Sequence, residues 1–200
     1  MTVHALPNDE QDPRSAAILG AAVEVFARYG FKRTSMEDIA RAAGVSRAAL
    51  YLHYRNKQDI FRSLVRGYFD QAEGRLRAAL QPGLAPGLAL EAAFFAKLGP
   101  EMMPLIDSPH GEELMDANFA TAADLVAAGE ARLGGLIAGW LQAEAAAGRL
   151  TLAAFDGDAA ALAQTMVAAL GGLKHQSRSY EALRLGMGRL ARLFGRGLTP

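Results

Sequence analysis

The chain contains no cysteine, so disulfide staples, thiolate metal sites and a cysteine nucleophile are excluded, and nothing in it requires an oxidising compartment. Histidine is scarce, with four in 200 residues, a poor basis for a zinc centre. Asp107, His110, Glu113 and Asp116 recur every three residues, but Pro109 and Gly111 interrupt any helix that would align them. No metal is therefore assigned and no cofactor is expected. The nucleophile elbow G-x-S-x-G and a phosphate-binding glycine loop of the P-loop kind are also missing, which leaves an enzyme without a recognisable motif. The longest uncharged apolar run, Ala159 to Leu173, falls short of the roughly 18–20 residues that span a bilayer. Met1 to Glu10 lacks the basic and apolar regions of a signal peptide. No membrane partner and a cytoplasmic location are the expectation.

Net charge is absent as well, with 21 basic and 21 acidic residues. The balance hides an asymmetry. Residues 14–62 hold nine Lys or Arg against four acids, whereas 98–173 hold two against ten. A basic front and an acidic body suit a nucleic-acid reader with a separate second domain, although solvated faces alone can give such a bias.

What the sequence does contain is a dense set of helix signals between residues 34 and 57. Thr34 with Glu37 three residues on reads as a capping box that starts a helix. Met36, Ile39, Ala40 and Ala43 fall on one face, and Gly44 can take the positive φ that ends a helix. Ser46 then reads as a second N-cap, and Leu50 and Tyr54, four apart, give the next helix an inward face. Two such helices across a turn of three or four residues form the helix-turn-helix that lays its second helix in a DNA major groove. Ahead of it, Ile18, Leu19, Ala22, Val25, Phe26 and Tyr29 form an apolar stripe closed by Gly30. Behind it, Asn56 and Asp59 open a fourth helix whose apolar face runs from Ile60 to Leu80. Residues 1–13, with Pro7 and Pro13, read as a disordered leader.

The run Phe26-Ala27-Arg28-Tyr29-Gly30-Phe31, then Thr34-Ser35, Ile39-Ala40, Ala42-Ala43-Gly44-Val45-Ser46, Leu50-Tyr51, His53-Tyr54 and Lys57, resembles the TetR (tetracycline-repressor-like) family of bacterial transcriptional regulators. The resemblance covers residues 14–62. Ala48 and Gln58 depart from it, where the family most often has Gly and Glu, and Ala48 bears on the operator sequence more than on the fold. It implies an all-α chain, with a three-helix helix-turn-helix DNA-binding domain at 14–62 and a larger helical effector-binding and dimerisation domain at 63–200. The implied partners are a double-stranded DNA operator, a second copy of the chain as homodimer, and an unknown small-molecule effector.

Residue chemistry supplies roles for the first partner. The Thr34, Ser35 and Ser46 hydroxyls stand where helix N-termini meet phosphates. Tyr51, His53 and Lys57 can donate to phosphates farther along, although Tyr51 and His53 also fit as boundary aromatics. Arg47, Ala48 and Ala49 are placed to meet base edges.

The body is less informative. Helices are expected at about Leu88–Leu98, Gly111–Ala147 with a kink near Gly129 or Gly134, Asp158–Ser177 and Ser179–Arg196. Leu150 to Phe155 reads as a connector. Gly171-Gly172 inside the third of these suggests a close backbone approach. The last two carry no evident caps, and their apolar residues Leu162, Met166, Leu170, Leu183, Met187 and Leu190 form the expected dimer interface. An effector cavity, implied by the resemblance, draws its lining from Phe94, Phe95, Met103, Met115, Phe119, Trp140 and Met166. Its polar anchors come from His110, Asn118, Gln142, Gln164 and His175. For any single one of these, ordinary core packing is the stronger reading; it is as a group that they suggest a ligand. On these grounds the expected function is a ligand-responsive repressor, with a small-ligand binding protein or minor enzyme bearing a vestigial helix-turn-helix as the alternative.

Overall fold

The computed structural model describes residues 13–177 and 179–199, with the backbone alone for 116–119. The fold is all-α: among the described residues there are nine α-helices, two short 3-10 turns and no strand. The expected leader, apart from Pro13, lies outside the described residues, as do the Phe119 and Asn118 side chains. Pro13 itself opens α1 (Pro13–Tyr29), where a proline lacking its N–H costs a helix nothing. There follow α2 (Met36–Ala42), α3 (Arg47–His53) and α4 (Lys57–Ala79). Beyond them lie α5 (Pro86–Leu98), a 3-10 turn (Pro100–Met102), α6 (Met103–Ile106), α7 (Gly111–Ala146), a second 3-10 turn (Ala153–Phe155), α8 (Ala159–Gln176) and α9 (Tyr180–Gly197).

Packing divides the chain into two compact units. One runs up to Gln71 and includes Pro100–Ala127; the other comprises Ala72–Gly99 and Ala128 onward. The division expected at 62/63 thus falls inside α4, and residues 100–127, expected in the second domain, pack with the first. Side-chain bonds explain the difference. Glu113 Oε1 accepts the Lys32 N–H at 2.7 Å, Ser108 Oγ donates to the Ala27 carbonyl at 2.5 Å, and Arg62 holds Asp124 through two bonds of 2.7 Å.

The first unit is built on an aromatic cluster. Phe26, Phe31 and Phe61 place their rings 5.1–5.8 Å apart, mostly edge to face, the geometry ring quadrupoles favour. Ile18, Ala22, Ile39, Leu50 and Ile60 close around them with almost no exposure. In α7 the kink falls at Ala122 (φ −139°, ψ 26°) rather than at Gly129 or Gly134. The Arg62 guanidinium donates to the Thr121 carbonyl at 3.0 Å, and a side chain inserted into the helical ladder bends a helix more surely than a glycine's mere tolerance.

In the second unit α5 lies against α9. A Cβ added to Gly195 would stand 2.5 Å from Gly87 Cα, so only glycine permits the approach. Phe94 meets Phe194 edge-on at 6.5 Å, and Arg184 stands 5.8 Å over the Phe95 ring. Glu144, buried in α7, takes a bidentate pair of 2.7 Å bonds from Arg149 and one from the Gly83 N–H, and these donors hold its carboxyl below the ordinary carboxylate range. Lys97 pairs with Glu130 at 2.9 Å. Burial, with the Lys97 charge nearby, pushes the Lys174 ammonium down to about 8.

Both final helices are capped after all. Asp158 accepts from the Ala161 N–H and Ser179 from the Ala182 N–H, so the sequence-based expectation of bare ends is corrected. The expected interface residues Leu162, Met166, Leu170, Leu183 and Met187 are buried within the chain, and Leu190 is half-buried. They are core. Nothing lies within 4 Å of a Cβ added at Gly171 or Gly172, so no part of the described chain makes the close approach their presence suggested.

Candidate nucleic-acid interface

Two helices, α2 and α3, present the candidate reading surface, and local sequence fixes their boundaries. The cap of α2 is Ser35, one residue later than expected: its Oγ accepts from the Asp38 N–H, while the Asp38 carboxylate accepts the Ser35 N–H and hydroxyl at 3.0 and 2.6 Å. The capping box is therefore Ser35 and Asp38, not Thr34 and Glu37. At the other end the Val45 N–H reaches the Ala40 carbonyl and the Gly44 N–H that of Arg41, with Gly44 at φ +67°. This doubly bonded αL ending aims the chain straight into Ser46, which caps α3 by accepting from the Ala49 N–H at 3.1 Å.

From α3 the alternation of faces is clean. Leu50 is fully buried and Tyr54 nearly so, while Arg47, Ala48, Tyr51 and Leu52 are exposed and Ala49 is half-buried. Arg47 stands 5.6 Å over the Tyr51 ring, so the two side chains brace one another at i and i+4. Ser35 and Ser46 are exposed beside them. This much of the expected set comes together on one surface.

Three members do not. Thr34 is buried, its hydroxyl donating to the Gly30 carbonyl at 2.7 Å, and cannot meet a phosphate. His53 turns back towards α1, with Nδ1 3.4 Å from Ser15 Oγ. Lys57 Nζ spends its three donors on the Phe31, Lys32 and Thr34 carbonyls at 2.8, 2.9 and 2.9 Å and lies 4.9 Å from the Phe31 ring centre. An ammonium has three donors, so its place is to tie the α1–α2 connection to the start of α4, and the phosphate role expected of it is corrected. Leu52 was missed in the sequence, though its spacing of four from Ala48 would have placed it outward. Beside it a crevice of about 680 Å³ is lined by Arg55, Arg62, Arg66, Asp59 and Ser63, a largely basic border to the end of α3.

The expected effector residues do not gather into one site. Phe94 and Phe95 are engaged with α9, Trp140 and Met166 are buried in the second unit, and Met103 and Met115 belong to the first. Among the proposed anchors, Gln142, Gln164 and His175 are exposed, while His110 Nε2 stands 3.0 Å from the Arg33 guanidinium. No three acidic, histidine or cysteine side chains among the described residues are grouped to hold a metal ion, and none of their helices is long and apolar enough to cross a membrane.

Residues 18–64 match the family model described as "Bacterial regulatory proteins, tetR family". The repressor BepR of Brucella suis is 41% identical over 83 residues, 41% of this chain and 40% of its own length, and the repressor KstR2 of Rhodococcus jostii is 34% identical over 79 residues, 40% and 39%. The matched stretch thus spans about two fifths of the curated relatives. Beyond it the likeness is one of fold. A transcriptional regulator from Cytophaga hutchinsonii superposes over 94% of this chain and 100% of its own with a TM-score of 0.75 at 19% identity. Over residues 18–64, with every cap and turn between Ser35 and Tyr54 accounted for, the chain thus matches the TetR family of bacterial regulatory proteins.

Proposed function

We propose that the chain is a homodimeric transcriptional repressor that reads a palindromic operator through α3 and is released from it by a small apolar effector. The observation that carries the reading is the outward face of α3, where Arg47, Ala48, Tyr51 and Leu52 stand exposed on a helix pinned from behind by Leu50. Arg47 is suited to base edges, and Tyr51, Ser35 and Ser46 to phosphates that set register. One short helix touches few bases, so two copies on half-sites one helical turn apart supply the missing specificity. The matched relatives BepR and KstR2 are themselves named repressors.

The domain roles follow: residues 14–62 bind DNA, and the helices from α5 onward bind the effector and the second copy. Since α4 passes from one compact unit into the other, it is the natural carrier of an effector's preference for one state. The test is selection of genomic fragments on the purified protein, followed by a salt titration of the recovered duplex. With roughly 6–10 phosphate contacts, affinity falls about 10³- to 10⁵-fold between 50 and 200 mM salt. Recovery of no palindrome, or binding indifferent to salt, would refute the proposal and favour a ligand-binding protein with an idle helix-turn-helix.

A further inference from the structure

We propose that Leu52 reads the 5-methyl group of a pyrimidine, thymine in ordinary DNA, in each half-site. The inference rests on α3 being the reading helix and goes beyond it by naming the base feature recognised. Leu52 is 86% exposed, more than Leu193 at 66%, Leu88 at 62% or Leu185 at 50%. It lies on a seven-residue helix that otherwise buries its one other leucine completely. Water is an unfavourable neighbour for such a side chain. The position is sustained without any packing partner of its own.

Its surroundings say what the partner is. Ala48 and Leu52 are four apart and both exposed, so they form one line along the helix, with no hydrogen-bonding atom in either side chain. Beside it runs the polar line of Arg47 and Tyr51. Arg55 and Arg66 share with Leu52 the border of the crevice at the end of α3, together with Asp59 and with Arg62, whose guanidinium is taken up by Asp124. An apolar line fringed by cations fits a polyanion that offers an apolar spot. The floor of the major groove offers one such group, the pyrimidine 5-methyl; apart from small C–H edges the rest are donors or acceptors, which Leu52 would desolvate without repayment. A groove in a protein partner would not call for the arginine fringe.

The experiment uses the full chain and its selected operator. Each thymine is replaced in turn by deoxyuridine, which pairs identically and lacks only the methyl. At one thymine per half-site the replacement lowers wild-type affinity about 3- to 10-fold, the scale of one buried methyl, and the Leu52→Ala protein binds both duplexes alike. Leu52 is exposed, so that variant keeps the parental thermal transition. If the preferred base is cytosine, methylating its 5-position raises wild-type affinity by the same factor and leaves Leu52→Ala unmoved. The inference fails if a salt-sensitive operator is bound with no dependence on any 5-methyl, or if Leu52→Ala retains the full penalty; the repressor proposal then survives. Failure to select any operator overturns both.

Discussion

Lys57 shows how a single residue can be placed correctly in a motif and assigned the wrong work. Its cation lies at the start of α4 near the expected DNA surface, yet its three donors end on the Phe31, Lys32 and Thr34 carbonyls. Charge-assisted bonds of this kind contribute about 1.5–3 kcal/mol each in isolation and less than their sum together. Lys57→Met should therefore lower unfolding stability in urea by about 2–3 kcal/mol while leaving the salt slope of the remaining DNA binding unchanged. A variant of parental stability whose salt slope drops by about one would restore the phosphate role. The same distinction runs through the site. The cap, the stop and the inward face around α3 were legible because they are local: Ser46, Gly44 and Leu50 act within four residues of themselves. His53 and Lys57 were misassigned because their partners, Ser15 and the Phe31–Thr34 strip, lie more than 20 residues away and are set by packing that no spacing in the sequence encodes, whereas Thr34 turns to a carbonyl only four residues back, at Gly30.

At the level of elements, nearly every helix was visible in periodicity and punctuation, and the failures lie where one element depends on another. The kink of α7 was sought at glycine, where bending is easy; it sits at Ala122, beside the carbonyl that Arg62 engages. Arg62 also makes the paired bonds to Asp124 that bind the beginning of α7 to α4 within the first unit. Those bonds, outweighing a small desolvation penalty, hold the Asp124 carboxyl down to about 2. A carboxylate with a lowered folded pKa adds stability that is fully present above its ordinary value of 3.8 and is lost as pH falls through about 2. The stability difference between wild type and Asp124→Asn should accordingly be constant from neutral pH to about 4 and shrink between 4 and 2, as followed by thermal melts across that range. A difference that stays level down to pH 2 would mean that the pair contributes nothing through charge. Because the pair is exposed, the effect should also weaken in high salt.

At the scale of the whole molecule the proposed homodimer raises the question of how two copies would meet, and burial redirects the answer. A charge at Leu170 cannot report on an interface, since Leu170 is 4% exposed and an unpaired charge there costs several kcal/mol of fold stability before any partner is involved. The apolar surface that needs a partner is elsewhere on the same two helices. Leu185 and Leu193 are 50% and 66% exposed on α9, eight residues apart and so on one side of the helix. Exposed Ala161, Ala168 and Gly172 form a stripe along α8, low enough in profile for another helix to approach, with Gly171 and Gly172 open to such a neighbour. If α8 and α9 of two copies pack as a four-helix bundle, Leu185→Glu combined with Leu193→Glu should sediment as a monomer. Its folded state should melt within about 0.5 kcal/mol of the parent's per surface substitution, once dissociation is allowed for. Leu170→Glu should instead lose cooperative unfolding altogether. The monomeric variant should also bind a single half-site as weakly as the parent does, and gain nothing from the second half of the palindrome. A double variant that remains dimeric, with its preference for the full palindrome intact, would remove α8 and α9 from the interface.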